Sequence, residues 1–67
     1  MNTGTIVKIS PKGFGFIAVD GQKDHVFFHA KQLVELEFDA ALQERRVKFL
    51  VVSSPNGPRA VQVQAAN

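Results

Sequence analysis

The sequence predicts an all-β protein whose five short strands roll into a small barrel. Three observations carry this. Apolar and polar residues alternate over short runs, while helical periodicity is weak. Clusters of Gly, Pro, Asn, Asp and Ser separate those runs. A chain of only 67 residues must still hide the edges of its sheet, and closure is the economical way to do so.

Thr5 to Ile9 reads as a first strand rich in β-branched residues. Ser10-Pro11-Lys12-Gly13 forms a turn, and Phe14 to Val19 alternates as a second strand. Asp20-Gly21 opens the next turn, through Asp24, with a strong hairpin signal. His25 to His29 is the third strand. Arg46 to Val52 is the fourth, with Val47, Phe49 and Val51 on one face. Ser53 to Pro58 is dense in turn residues, and Arg59 to Gln64 is the fifth strand, with Val61 and Val63 facing in. The long connection from Ala30 to Gln43 offers Leu33, Leu36 and Leu42 to one brief helical turn without a clear cap, followed by irregular loop. The whole chain, 1–67, reads as one domain with a core of about residues 4–64, and residues 65–67 are expected to fray. The strand count fits a five-stranded antiparallel barrel of the OB type.

With no cysteine, the chain has no disulfide framework and no Cys-rich zinc site. Stability must come from a compact core that is marginal at this length. Met-Asn-Thr-Gly-Thr is not the start of a signal peptide. No apolar run nears the roughly 20 residues that span a bilayer. The expectation is a soluble cytoplasmic protein without a membrane partner. Net charge is +2 and the pI about 9.4, a modest lean toward an anionic partner. No nucleophile–base pair, metal cluster or phosphate loop is present, so no enzyme, cofactor or small-molecule substrate is expected.

The stretch Lys-Gly-Phe-Gly-Phe-Ile-Ala-Val, residues 12–19, carries the functional signal. Alternate strand residues share a face, so Phe14 and Phe16 stand side by side. Aromatic residues are usually buried, but here Ile17 and Val19 can supply the inward face, leaving both rings outward. On the third strand Phe27 and His29 share a face, while Val26 and Phe28 take the other and belong to the core. Paired through the Asp-Gly hairpin, Phe14, Phe16, Phe27 and His29 line one strip of rings suited to stacking on unpaired bases. Lys8 and Lys12 would attend the phosphates. His29 on its own is poor zinc geometry, and contact with a base is the better reading. His25 reads as an exposed hairpin residue.

Lys-Gly-Phe-Gly-Phe-Ile resembles the first ribonucleoprotein-type motif of the cold-shock domain, and Val-Phe-Phe-His, residues 26–29, resembles the second. Gly4, the Asp20-Gly21 turn, Phe38, Val47, Phe49, Gly57-Pro58 and Val63 also fall where bacterial cold-shock proteins carry similar residues. The likeness spans about residues 4–63. It implies a five-stranded barrel that binds single-stranded DNA and RNA, as a cold-shock-type RNA chaperone or a regulator of transcription or translation. It also brings in Phe38, as a ring folding over the base strip or as a loop anchor, and Arg59, whose loop borders the binding face.

The departures bear on affinity. Where the family usually has Lys-Trp-Phe-Asn, this chain reads Val7-Lys8-Ile9-Ser10, and the turn that follows is one residue shorter. The aromatic expected after His29 is Ala30. Three rings of the family platform are thus absent, and binding should be weaker and more sensitive to salt. The alternative is a cold-shock-like barrel repurposed to bind a protein. An RNA-recognition motif is set aside because it needs two full helices. Arg45, Arg46 and Lys48 read as a solvated strand face, and a monomer is the simplest state.

Overall fold

The computed structural model describes residues 1–66. It is a closed barrel of β1 (Asn2–Ser10), β2 (Phe14–Val19), β3 (His25–His29), β4 (Arg46–Ser54) and β5 (Gly57–Ala65). Around the barrel the strand order is β1-β2-β3-β5-β4. β2 and β3 keep the expected bounds. The other strands run longer because partners extend them: Asn2 and Thr3 pair with Phe49 and Lys48, and Ser54 pairs with Gly57.

One seam departs from the antiparallel expectation. β3 and β5 run parallel, through Phe27 with Arg59 and Phe28 with Ala60. A closed ring with an odd number of strands cannot alternate direction all the way round, so at least one parallel seam is obligatory.

The core consists of Ile6, Ile17, Phe28, Val47, Phe49 and Val63, fully buried, with Val19, Val26, Leu42 and Ala60 around them. Each fully buried large side chain contributes about 1.5–3 kcal/mol relative to exposure. Ile17, Val19 and Phe28 face inward as the sequence predicts. Val51 and Val61 do not behave as expected: Val51 is 40% exposed and Val61 is only half-buried. On β4 the register shifts between Lys48 and Leu50. Beyond Phe49, β1 no longer flanks the strand. On β5, Gln62 takes a φ of 53°, which breaks the alternation and gives the inward places to Ala60 and Val63.

The long connection holds two 3-10 turns rather than one, Ala30–Gln32 and Ala40–Leu42. Both are capped, contrary to expectation. His29 Nδ1 accepts from the Lys31 N–H at 3.1 Å, and Asp39 Oδ1 accepts from the Ala41 N–H at 2.9 Å. Leu33 bridges to Val63, and Leu33 and Leu36 pack on the core. Of the residues expected to fray, Ala65 pairs with Val47 and the Ala66 N–H donates to Arg46 O at 3.1 Å. Asn67 lies outside the described residues. Among the described residues no helix is long and apolar enough to cross a membrane.

Candidate nucleic-acid interface

The outward rings of β2 depend on the glycine between them. Gly15 is buried, and a Cβ there would lie 2.7 Å from Phe28 Cε1 and 2.5 Å from the Lys8 carbonyl oxygen. Only hydrogen fits, so β2 lies directly on the Phe28 ring and the flanking Phe14 and Phe16 point away from the core. The preceding turn closes through Gly13, whose φ of 100° suits glycine. Its N–H donates to Ser10 O at 3.1 Å, and its carbonyl accepts from the Ala30 N–H at 2.9 Å.

Cross-strand register assembles the strip. Phe14 pairs with His29, and Phe16 with Phe27. The rings of Phe14 and Phe27 are stacked at 5.6 Å. Phe16 meets Phe14 edge-on at 6.1 Å and Phe27 at 5.9 Å. Such pairs contribute about 0.5–1.5 kcal/mol beyond their buried area and fix the rings before any ligand arrives. All three are half-buried, so part of each ring stays open to solvent.

Cations bracket the rings. Lys8 pairs with Phe16 across β1 and β2, and Arg59 pairs with Phe27 across the parallel seam. One transverse row therefore reads Lys8, Phe16, Phe27, Arg59. The Arg59 guanidinium carbon sits 5.3 Å from the centre of the Phe27 ring, within cation–π range. Lys8 reaches this row because β1 bulges between Ile6 and Lys8. The bulge is held from the other side, where Gln43 Nε2 donates to Val7 O at 2.6 Å. His29 flanks the row. With Nδ1 committed to the Lys31 N–H, the neutral ring carries its proton on Nε2 and offers a donor there.

Residues 2–66 match the family described as the 'Cold-shock' DNA-binding domain. The chain belongs to the cold-shock domain family. It is 43% identical over 65 residues to cold shock-like protein CspJ of Salmonella typhimurium, covering 94% of this chain and 91% of that one. To cold shock-like protein CspI of Escherichia coli it is 40% identical over 65 residues, with the same coverage. To cold shock-like protein CspA of Vibrio cholerae it is 43% identical over 54 residues, 81% of this chain and 77% of that one. Among solved structures, Drosophila Unr CSD456 superposes with a TM-score of 0.79 over 98% of this chain at 24% identity. This chain spans 26% of that one, and the likeness is one of fold.

Two further expected residues of this cold-shock domain, Lys12 and Phe38, stand outside the row. Lys12 is exposed at the tip of the β1–β2 turn, where its N–H donates to Ser10 Oγ at 3.2 Å. Phe38 takes the loop-anchor position. Its ring meets the core ring of Phe28 edge-on at 6.4 Å, and it lines an apolar groove with Ile9, Pro11, Asp39, Ala40 and Gln43.

Sequence reasoning missed the far side of the row. Ser54, Asn56 and Pro58 join Phe16, Phe27 and Arg59 around a concavity of about 320 Å³. In the sequence Ser54 and Asn56 show only turn chemistry. Within the basic run at the start of β4, Arg46 is engaged rather than free. Its Nη1 and Nη2 donate to Asp20 at 2.9 and 2.7 Å, and Thr3 Oγ1 donates to the same carboxylate at 2.9 Å. The Arg46 bonds, then the Thr3 bond, lower the Asp20 carboxyl to about 2. Among the described residues no cluster of side chains could hold a metal ion.

Proposed function

We propose that this cold-shock domain binds single-stranded DNA or RNA across the outer faces of β2 and β3. Phe14, Phe16 and Phe27 stack on bases, His29 bonds or stacks beside them, and Lys8, Lys12 and Arg59 neutralise phosphates. The observation that carries the reading is the transverse row, in which Lys8 and Arg59 bracket the paired rings of Phe16 and Phe27. Every base has a π-face, so stacking demands little of sequence. Paired bases hide their faces within the duplex. Binding the unpaired form more tightly shifts the equilibrium away from secondary structure without any catalysis.

On this reading residues 4–64 act as one module, a cytoplasmic monomer serving as an RNA chaperone or a regulator of transcription or translation. Phe38 contributes to binding from the loop edge, where its ring is already braced on Phe28. No observation favours the protein-docking alternative.

Titration of a labelled oligothymidine and a matched duplex at low and high salt tests the reading. Single strands should bind preferentially, with affinity reduced by Phe14→Ala and by Phe27→Ala. Equal affinity for the duplex, or unchanged binding in both variants, would overturn it. The label must be extrinsic, because the chain has no tryptophan or tyrosine.

A further inference from the structure

The concavity at the end of the aromatic row has the chemistry to read one base rather than merely hold it, an inference that rests on the stacking reading above. The β4–β5 connection is two residues long, Pro55 and Asn56, between the paired Ser54 and Gly57. Ser54 Oγ donates to Gly57 O at 2.5 Å, Pro55 fixes its own φ, and Gly57 sits at φ 114°. The turn therefore fixes the backbone at Asn56 with bonds of its own.

The space it helps enclose, about 320 Å³, lies at the low end of the roughly 300–1,000 Å³ of small-ligand sites. It is lined by two aromatic rings, Phe16 and Phe27, with Ser54, Asn56 and Arg59 supplying polar groups. Among the described residues, neither the Asn56 amide nor the Arg59 guanidinium makes a hydrogen bond. The guanidinium lies over Phe27 and shares the concavity with Phe16, whose plane stands 74° from that of Phe27. A base stacked on Phe16 would therefore stand steeply to the Phe27 face and present an edge to the groups lying over it, the Arg59 N–H groups among them.

Arginine only donates, through a fixed fork, and the matching edge carries two adjacent acceptors. We infer that this concavity selects guanine, with O6 and N7 accepting from Arg59 and Asn56 bonding the remainder of the base edge. Thymine and uracil place an N–H donor between their carbonyls. Adenine sets a donor amine beside N7. Cytosine, with N3 and O2 adjacent, is the nearest competitor.

The test titrates the full chain with short oligothymidines carrying one central substitution. Guanine should tighten binding about tenfold over thymine, as one good two-point contact does. Inosine, which keeps O6 and N7, should retain the gain, and 7-deazaguanine should lose most of it. Arg59→Lys, which keeps the charge but not the fork, should collapse the guanine-to-thymine ratio, and Asn56→Ala should reduce it, in variants whose far-UV circular dichroism matches the parent. Equal affinity for all substitutions, a preference for cytosine, or 7-deazaguanine binding as tightly as guanine would overturn the inference while leaving the platform standing. Failure of every oligonucleotide to bind would instead refute the stacking reading itself.

Discussion

Replacing Gly15 with alanine tests whether the outward Phe-Gly-Phe geometry follows from close packing. The added Cβ would lie 2.5 Å from the Lys8 carbonyl oxygen and 2.7 and 2.9 Å from Phe28 Cε1 and Cζ. The carbonyl belongs to the β1–β2 ladder, where Ile9 faces Gly15, and Phe28 is fully buried. Neither neighbour can yield without moving the sheet or the core. Overpacking of this kind costs about 1–3 kcal/mol, occasionally more, and a clash with backbone belongs near 3. Total stability for a chain this size is roughly 3–10 kcal/mol, so the variant should lose a large share of it. Urea unfolding followed by far-UV circular dichroism reads the loss. With a denaturant slope near 1 kcal/mol/M, the midpoint should fall by about 2–3 M. Gly13→Ala is the control, because its Cβ would meet nothing within 4 Å at a φ of 100°. It should cost only conformational strain, about 1–2 kcal/mol. A loss under about 0.5 kcal/mol at Gly15, the range of ordinary surface changes, or a loss no larger than at Gly13, would refute the packing argument.

Phe27→Ala removes the ring that touches both its aromatic neighbours and Arg59. It should weaken single-strand binding by about 1–3 kcal/mol in a fluorescence-anisotropy titration. Lys8→Trp should tighten binding and flatten its dependence on salt, lowering the slope of log K against log[salt] by about 0.7 for the one cation removed; an unchanged slope would show that Lys8 meets no phosphate. The Asp20–Arg46 pair predicts a defined acid response. The folded carboxyl is depressed from 3.8 to about 2, so its contribution is present above pH 3.8 and lost as pH falls toward 2. Acid titration should show that loss in the parent and not in Asp20→Asn, and added salt should shrink it because the pair is exposed.

The parts of the fold legible in the sequence were those set by local signals. β2 and β3 have uninterrupted alternation and turn residues at both ends, and their bounds follow directly. The extra residues of β1 exist because a distant strand pairs with them, as Phe49 does with Asn2, and those of β4 and the start of β5 because pairing runs right up to their two-residue turn, Ser53 with Pro58 and Ser54 with Gly57. Val51 and Val61 were misplaced because the register shift on β4 and the kink at Gln62 leave no mark in composition. The cap at His29 was hidden for a similar reason, since imidazole Nδ1 is a rare capping acceptor. In the site, period-two spacing made the three rings readable. The position of Arg59 over Phe27 depended on a parallel seam between strands far apart in sequence. Asn56 and Ser54 became visible only once that seam had brought their turn against the rings.

Proton NMR of the six phenylalanines during titration with oligothymidine reads whether bases stack on the outer rings of β2 and β3. The ring protons of Phe14, Phe16 and Phe27 should move upfield as bases cover them, while those of the buried Phe28 and Phe49 stay in place. Shifts confined to other surfaces, with those three rings unmoved at saturation, would contradict that stacking.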